Sequence, residues 1–330
     1  MKTLVTGGGG FLGRYIVEQL LARGDEVTVF ARGDYPDLAA QGARLVRGDL
    51  QNAAAIRTAC YGMDVVFHIA ALAGHWGPWE AYYGANVTGT ENVIAACREQ
   101  GVPKLVNCSS PSVVFDNTSQ EGVDESYPYP QTYESPYPHT KALAEQRVTQ
   151  ANGPNLLTVS LRPHLIFGPR DRHLMPALLR AARGGLLPQV GAGTNRVDLT
   201  YVEDAARAHL LAADVLTPGS PVAGAVYFIS QDEPVTLWPW IKDLLARLDY
   251  PTVRLRVSLR MARALGGASE ALYRGLRLKG EPRLTRFLAS EFAQSHWYDI
   301  SRAKRELGYQ PQFTMAEALE KTLAALSSSV

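Results

Sequence analysis

Short apolar runs alternate with longer amphipathic runs through the first half of this chain. The short runs have the length and residue types of strands, and the longer runs repeat apolar positions at helical spacing. Strands are predicted at 3–6, 26–30, 44–47, 64–69, 104–108 and 155–161, and helices at 15–21, 52–60, 82–99 and 136–148. Strands that are separated by helices predict a parallel sheet of an α/β protein, covered on both faces.

A glycine-rich turn follows the first predicted strand directly. Its glycines have the spacing G-x-x-G-x-x-G, and an amphipathic helix comes next. Glycines let the backbone turn sharply and approach a pyrophosphate, which the helix N-terminus then stabilises. A flexible turn is the alternative, but the strand–turn–helix–strand order favours a dinucleotide site in a Rossmann-like, doubly wound sheet. We expect this site to include Gly7, Gly10, Phe11, Leu12 and Gly13.

The second predicted strand ends close to Arg32, which lies 19 residues beyond Gly13. A site for NAD typically carries an acid near this position, where it binds the ribose hydroxyls. An arginine suits the 2′-phosphate of NADP instead, so NADP is the predicted cofactor. NAD stays open as the alternative, because Asp34 is nearby and Arg32 could equally be a solvated side chain.

Ligands of doubly wound sheets bind beyond the carboxyl ends of the strands. Three pairs of residues follow predicted strands in this way: Asp49 and Leu50, Ala70 and Ala71, and Ser109 and Ser110. The hydroxyl of Ser110 could donate a hydrogen bond to a substrate oxygen, or it could simply form a turn.

A tyrosine and a lysine, Tyr137 and Lys141, lie four residues apart on one face of the helix predicted from 136. Ser135 is a good N-cap, and the prolines at 136 and 138 are tolerated in a first turn. A neighbouring ammonium favours the phenolate and lowers the pKa of a tyrosine, which otherwise lies near ~10. Such a tyrosine can serve as a general acid or base worth roughly 10²–10⁴-fold in rate. A solvated pair without function is the alternative.

Beyond residue 165 the alternation becomes irregular, and glycines and prolines cluster at 184–193 and 218–224. We predict a dinucleotide-binding domain over 1–165, with returning segments near 195–230. Residues 166–330 are predicted to form mainly a smaller substrate-binding or lid domain, partly interleaved with the first.

Composition and charge narrow the class of protein. The 330 residues carry a net charge of +1, which does not favour bulk nucleic-acid binding. The three cysteines have no paired or metal-like spacing and no apolar run reaches a membrane span, so a cytoplasmic protein is expected. No histidine motif for a metal is present, and no metal is predicted. His139 should point away from Tyr137 and Lys141, whereas His164 either lines the cofactor edge or is structural.

One segment, 254–286, is strongly basic, with nine arginine or lysine residues and two glutamates. Within it, Leu265, Leu272 and Leu276 form a helical stripe. A basic amphipathic segment can dock on a membrane surface, on an acidic protein partner or on an anionic substrate. A solvated face over a hydrophobic lid is the alternative.

The glycine turn, Ser110 and the Tyr137–Lys141 pair together resemble the extended short-chain dehydrogenase/reductase superfamily. Further stretches over residues 2–240 resemble its 3β-hydroxysteroid dehydrogenase/isomerase branch, notably 86–93, 161–171 and 196–202. The resemblance implies that Ser110, Tyr137 and Lys141 are catalytic, and that Tyr137 and Lys141 also contact the cofactor. It further implies that Pro163 borders the nicotinamide, that Asp49 contacts the adenine, and that the protein is a homodimer.

Within that branch, residues 70–83 are most similar to bacterial 2-alkyl-3-oxoalkanoate reductases, and next to sterol-4α-carboxylate 3-dehydrogenases. The first implies an NADP-dependent oxidoreductase that interconverts a ketone and a secondary alcohol on a small-molecule substrate that is bulky and apolar, a 2-alkyl-3-oxoalkanoic acid. An NAD-dependent 3β-hydroxysteroid or sterol-4α-carboxylate dehydrogenase is the alternative, and Arg32 argues against it. A nucleotide-sugar epimerase or dehydratase and a non-catalytic NADP-sensing protein are more distant alternatives. Four aromatic residues either wall the apolar substrate or pack in the core: Trp76, Trp79, Tyr82 and Tyr83.

Overall fold

The structure, a computed structural model, describes residues 1–183, 185 and 187–327. Its strands are β1 (Lys2–Thr6), β2 (Glu26–Ala31), β3 (Arg44–Arg47), β4 (Val65–His68), β5 (Lys104–Cys108), β6 (Gln120–Val123), β7 (Leu157–Pro163), β8 (Ile166–Phe167), β9 (Gln189–Val190), β10 (Arg196–Val197), β11 (Thr200–Tyr201), β12 (Val226–Ile229), β13 (Val235–Thr236), β14 (Arg256–Val257) and β15 (His296–Tyr298).

Its α-helices are α1 (Phe11–Ala22), α2 (Pro36–Ala40), α3 (Ala53–Ala59), α4 (Trp79–Tyr82), α5 (Gly89–Gln100), α6 (Pro136–Ala151), α7 (Leu174–Arg183), α8 (Val202–Val215), α9 (Leu237–Arg247), α10 (Leu259–Gly275), α11 (Arg286–Ala293), α12 (Ser301–Leu307) and α13 (Met315–Ser327). A π-helical turn spans Tyr83–Thr88, and a 3₁₀ turn spans Pro111–Val114.

Seven strands form a parallel central sheet in the order β12-β7-β5-β4-β1-β2-β3. Side chains alternate between the two faces along each strand. Leu4 therefore packs in a core with helices α3, α5 and α6, whereas Val5 packs in a second core with α1 and α8. A sheet buried on both faces needs apolar residues at successive positions, which explains the short continuous apolar runs of the sequence. The predicted Rossmann-like, doubly wound α/β fold is confirmed.

The helix predicted at 82–99 is confirmed as a continuous helical run, in which α4, the π-helical turn and α5 follow one another without a break. Asn86 lies in the π-helical turn. Its side-chain amide donates to the Leu72 carbonyl (3.1 Å) and to the Thr140 hydroxyl (3.0 Å), and its side-chain oxygen accepts from the Leu72 amide (2.7 Å). Through these bonds, Asn86 of the π-helical turn joins the loop after β4 to helix α6. The sequence alone does not indicate this wider turn, because its hydrogen bonds reach residues that are distant along the chain.

A second, four-stranded sheet has the order β13-β10-β15-β6. It pairs β6, from the first half of the chain, with β15, from near its C-terminal end, and β12 returns to the central sheet beside β7. The domain boundary at 165 stays a prediction, and two residues of the 184–193 cluster, 184 and 186, lie outside the described residues. Among the residues that the structure describes, no helix combines the length and apolar character that a bilayer crossing requires.

Candidate active site

The glycine turn between β1 and α1 is shaped for close approach of a ligand. Gly7 has a φ of +70°, in the left-handed region that favours glycine. A Cβ at Gly13 would lie 2.2 Å from the Gly7 carbonyl oxygen, so α1 can pack on the turn only with glycine there. Gly10 is the exposed N-cap of α1, and the N–H groups of Phe11 and Leu12 have no intrahelical partner. This cradle fits the pyrophosphate of a dinucleotide.

Arg32 follows β2 at the edge of the cradle, as the sequence predicts. Its side chain is exposed and makes no ion pair with any residue that the structure describes, while its carbonyl accepts a hydrogen bond from Arg47 Nε (3.0 Å). Asp34 is exposed beside it. An unpaired guanidinium at this place fits a phosphate group on the adenosine ribose.

Tyr35 is a neighbour of the cradle that the sequence analysis missed. Its ring lies against Gly9, where an added Cβ would sit 2.0 Å from a ring carbon. Arg14 lies on α1, and its guanidinium carbon is 5.4 Å from the centroid of the Tyr35 ring. No sequence motif identifies Tyr35. Its packing on Gly9 shows that it belongs to the edge of the glycine cradle.

The other predicted cofactor residues lie at the carboxyl ends of the sheet strands. Asp49 follows β3, and its Oδ1 accepts a hydrogen bond from the Gln51 amide (2.9 Å). Ala70 follows β4, and its Cα would be 2.8 Å from a Cβ at Gly7, so it borders the glycine turn. Each of the remaining predicted residues also ends a strand or follows one at this edge: Leu50, Ala71 and Pro163. One edge of one sheet therefore brings all of them together.

Tyr137 and Lys141 lie one turn apart on α6, which passes the end of β5. Lys141 is 6% exposed, and its Nζ donates to the Cys108 carbonyl at 2.6 Å. Ser110 caps the following 3₁₀ turn, with its Oγ 2.9 Å from Ser112 Oγ. The hydroxyl of Ser110 is near enough to Tyr137 to lower the pKa of the phenol, although burial raises that pKa more strongly. The structure therefore places Ser110, Tyr137 and Lys141 in one cluster.

The structure also separates the two adjacent serines. Ser110 faces Tyr137, whereas the hydroxyl of Ser109 lies towards Glu145, whose pKa it helps to lower. The amide of Ser109 donates to the Leu161 carbonyl (2.6 Å), which fixes the end of β5 to β7. Of the two, only Ser110 is available to a ligand beside Tyr137.

Electrostatics at Tyr137 differ from the expectation drawn from the sequence. Burial raises the pKa of Tyr137 above its ordinary value, with further increases from Cys108 and Glu291. Burial also lowers the pKa of Lys141, and its ammonium is bonded to the Cys108 carbonyl rather than to the phenol. The expected lowering of the tyrosine pKa is wrong for the protein alone, because desolvation of the phenol outweighs the nearby charge. At neutral pH, Tyr137 is a protonated acid.

The N-cap predicted at Ser135 has the right position but a different partner. Ser135 has extended backbone angles at the start of α6, yet its side chain makes no capping hydrogen bond. Its hydroxyl donates instead to the His75 carbonyl (2.9 Å) in the loop after β4. The serine thereby ties this loop to the helix that carries Tyr137.

A wall over Tyr137 comes from His75, in the 70–83 stretch, and from two residues of α11 that no motif marked, Phe287 and Glu291. The His75 ring is edge-on to Tyr137, with centroids 6.4 Å apart, and lies 5.1 Å from the Phe287 ring of α11. Burial lowers the pKa of His75 to about 4, so it is neutral at pH 7. Glu291, also on α11, is close enough to raise the pKa of Tyr137, and burial raises its own pKa to about 7.

Of the four aromatic residues of the 76–83 stretch, some pack in the interior and others lie beside the wall. Tyr82 is buried, and its hydroxyl donates to the Trp76 carbonyl (3.2 Å). Trp76 packs edge-on against Tyr273 of α10, at 6.3 Å. Trp79 packs 5.7 Å from Tyr83 and is 38% exposed. The stretch therefore lies between α6 and α10, at the rim of the wall.

The two histidines that were considered for the site have other partners. His139 points away from the cluster, as predicted, and stacks on Tyr133 at 4.8 Å. His164 is buried, and its Nε2 lies 2.6 Å from Nδ1 of His296, so the structural alternative describes it. Among the described residues, no three histidine, cysteine or acidic side chains are grouped to hold a metal.

Comparisons with known proteins identify the family of the chain. The model of the 3-beta hydroxysteroid dehydrogenase/isomerase family matches residues 4–259. The chain is 47% identical to 2-alkyl-3-oxoalkanoate reductase of Stenotrophomonas maltophilia (strain K279a), over 98% of this chain and 99% of that protein. It is 38% identical to the decarboxylating sterol-4-alpha-carboxylate 3-dehydrogenase of Homo sapiens, over 98% of this chain and 87% of that protein.

Among solved structures, the chain is similar to MoeE5 in complex with UDP-glucuronic acid and NAD. The TM-score is 0.77 at 27% identity, and all of both chains is covered. That protein holds NAD on a fold of the same kind, in keeping with the glycine cradle described here. The chain belongs to the 3-beta hydroxysteroid dehydrogenase/isomerase family and is an NAD(P)-dependent, ketoreductase-type oxidoreductase that acts on CH–OH groups.

Proposed function

We propose that this protein uses NADPH to reduce the ketone of 2-alkyl-3-oxoalkanoic acids. The observation that carries the proposal is the cluster of Ser110, Tyr137 and Lys141 at the edge of the sheet, under an aromatic wall. The substrate class is supported by the full-length similarity to a 2-alkyl-3-oxoalkanoate reductase.

Each member of the cluster has a distinct part in the reduction. The nicotinamide cofactor, when bound, supplies the hydride that the ketone carbon accepts. Tyr137, kept protonated by burial, donates its proton to the ketone oxygen, and the Ser110 hydroxyl donates a hydrogen bond to the same oxygen. The Lys141 ammonium, fixed by the Cys108 carbonyl, stabilises the phenolate that remains until solvent returns the proton. The product is a secondary alcohol.

The residues that hold the cofactor are proposed from their place in the fold. The turn containing Gly7, Gly10 and Gly13 holds the pyrophosphate, and Arg32 pairs with the 2′-phosphate. Further contacts come from the carboxyl ends of the strands and from the catalytic helix: Phe11, Leu12, Asp49, Leu50, Ala70, Ala71, Tyr137, Lys141 and Pro163.

The wall over Tyr137 supports an apolar substrate with a carboxylate. The rings of His75 and Phe287 offer an apolar surface. Arg263 and Arg286 of the basic segment are held in ion pairs with Glu134 and Glu270, so neither is free to bind the carboxylate. Burial raises the pKa of Glu291 to about 7, and the protonated form of this carboxyl can donate a hydrogen bond to the substrate carboxylate.

The first experiment follows NADPH oxidation by the purified protein with a long-chain 2-alkyl-3-keto acid. We expect turnover by the wild type and a loss of roughly 10²–10⁴-fold in Tyr137→Phe, because the proton donor is removed. Tyr61→Phe, at a tyrosine that is 76% exposed, is the matched control and should behave as the wild type. No turnover with either NADPH or NADH would contradict the proposed substrate.

The cofactor preference is tested separately. Arg32→Ala should weaken NADPH binding by roughly ten- to 100-fold, since a charged hydrogen bond to phosphate is lost, and should leave NADH binding nearly unchanged. Equal loss for both cofactors would mean that Arg32 does not read the 2′-phosphate.

A second candidate is oxidation of a 4-carboxysterol with NAD, favoured by the 38% identity to the human sterol dehydrogenase. Both named substrates carry a carboxylate on the carbon next to the reacting carbon, so one site could accept either class. Turnover of a 4-carboxysterol with NAD, together with no reduction of the keto acid, would replace the first candidate with this one.

A further inference from the structure

Helix α10 (Leu259–Gly275) presents an outer face without a single charged residue. Along its exposed side, and at the residue that follows it, the large side chains are Met261, Leu265, Leu272 and Leu276. These positions fall within about 60° of one another around the helix axis at 100° per residue. Small residues extend this face to one side, at 264, 268, 271 and 275, and all four are exposed. The result is a continuous apolar stripe on the surface.

The segment that contains the stripe holds most of the exposed large apolar side chains among the described residues. Of the ten large hydrophobic residues that are exposed among the described residues, six lie between 255 and 278. Each leucine or methionine of the stripe is more than half exposed. A contiguous apolar patch of this kind usually marks a binding surface, whereas singly scattered residues do not.

Unpaired positive charge surrounds the stripe. Five exposed basic side chains form no ion pair with any described residue: Arg254, Arg260, Arg277, Lys279 and Arg283. Glu270 of the same helix is buried and paired with Arg286, and the exposed Glu281 lies against Gly74, where an added Cβ would be 2.7 Å from its Oε1. The five cations therefore outnumber the exposed acid of this segment. We call the stripe and these five residues the α10 surface.

The α10 surface lies above the candidate active site. A Cβ at Gly266 would be 2.6 Å from the Thr285 carbonyl carbon, so the inner face of α10 packs tightly on the start of α11. Helix α11 carries Phe287 and Glu291, which form the wall over Tyr137. Trp76 of the rim packs against Tyr273 and lies 4.9 Å from the Arg274 guanidinium carbon.

We propose that the α10 surface binds an anionic lipid bilayer, with the helix lying in the plane of the interface. The apolar stripe would enter the boundary of the acyl chains, and the basic residues would contact anionic headgroups. A second copy of the chain is a poorer occupant, because a two-fold contact would bring the two basic rims together. An acidic protein would pair with the basic residues, but its acidic side chains would not cover the apolar stripe.

Vesicle co-sedimentation without substrate or cofactor tests this proposal, so the result does not depend on the reaction. The wild type should bind vesicles of phosphatidylcholine with phosphatidylglycerol and bind phosphatidylcholine vesicles much more weakly. The double variant Leu265→Gln/Leu272→Gln should lose about tenfold or more in binding, because it removes the inserted groups. Arg277→Gln/Lys279→Gln should lose roughly tenfold on the anionic vesicles alone.

The matched control is Tyr61→Gln/Arg44→Gln, which removes an exposed aromatic ring and an exposed cation far from the α10 surface. It should bind vesicles as the wild type does. All of these positions are exposed, and unchanged circular dichroism would show that the variants fold. Equal vesicle binding by wild type and Leu265→Gln/Leu272→Gln would overturn the proposal. So would a wild-type dimer, seen by light scattering, that dissociates in this variant while vesicles remain unbound.

Discussion

A buried ion pair supports the catalytic helix, and its removal should cost the protein much of its stability. Glu145 lies two turns beyond Tyr137 on α6 and is fully buried. Its carboxylate accepts from Arg162 Nε (2.9 Å), from Arg162 Nη2 (2.6 Å) and from the Tyr129 hydroxyl (2.5 Å). Burial alone would raise the pKa of Glu145, but the charge and hydrogen bonds of Arg162 outweigh it and the pKa is lowered. The pair therefore joins α6 to β7 as two charges.

The magnitude follows from what each substitution leaves behind. In Glu145→Gln, the Arg162 guanidinium stays 2% exposed with no counter-ion. Breaking a buried pair on one side costs about 3–5 kcal/mol, because a charge remains in a medium that solvates it poorly. Replacing both partners, in Glu145→Leu/Arg162→Met, removes both charges and both desolvation costs. We expect this double variant to recover most of the lost free energy of unfolding.

Urea unfolding followed by fluorescence measures the three free energies of unfolding. Arg147→Gln is the matched control: Arg147 lies on α6, like Glu145, but its ion pair with Glu91 of α5 is half-exposed, so stability should change by less than about 1 kcal/mol. A Glu145→Gln variant within about 1 kcal/mol of the wild type would refute the reasoning. So would a double variant that is no more stable than Glu145→Gln, since removing the second charge would then restore no free energy of unfolding.

Two other substitutions test the cofactor cradle and the wall. Gly13→Ala puts a Cβ 2.2 Å from the Gly7 carbonyl oxygen, so we expect NADPH binding by fluorescence titration to fall at least tenfold. Gly153→Ala, next to open space and without a positive φ, should not alter binding. Unchanged binding in Gly13→Ala would contradict the cradle. Glu291→Gln tests the carboxyl whose pKa burial raises to about 7. The folded protein holds this proton up to pH 7 but the unfolded chain releases it near its ordinary pKa, so wild-type stability relative to the variant should fall between these values as pH rises. A constant difference from pH 4 to pH 8, measured by urea unfolding, would exclude the raised pKa.

Features that depend on neighbouring residues could be predicted from the sequence. The glycine spacing reflects a local requirement, since Gly7 needs its positive φ and Gly13 must clear the turn six residues before it. Helical spacing likewise places Tyr137 and Lys141 on one face wherever α6 packs. The order of strands and helices implies the sheet, because both faces of a parallel sheet must be covered.

Features that depend on distant residues could not be predicted in this way. The wall over Tyr137 joins His75 to Phe287, and no local pattern specifies a contact between residues so far apart. The π-helical turn at Asn86 is stabilised by a hydrogen bond to Thr140, which reaches Asn86 only after α6 has packed. The pKa of Tyr137 rises, contrary to the expectation from Lys141, because desolvation depends on everything that covers the phenol.

Helix α10 shows most clearly which features the sequence determines and which depend on the tertiary structure. The sequence by itself determined an amphipathic helix with a leucine stripe and a basic surround, because helical periodicity alone sets which residues share a face. An apolar stripe ordinarily faces a core, and only the tertiary structure decided that this one faces outward. The opposite side of α10, with Ala262, Gly266 and the paired Glu270, is small enough to pack closely on α11, and this leaves Leu265 and Leu272 in solvent. Which face a helix buries depends on the shape of its neighbour as well as on its own hydrophobicity.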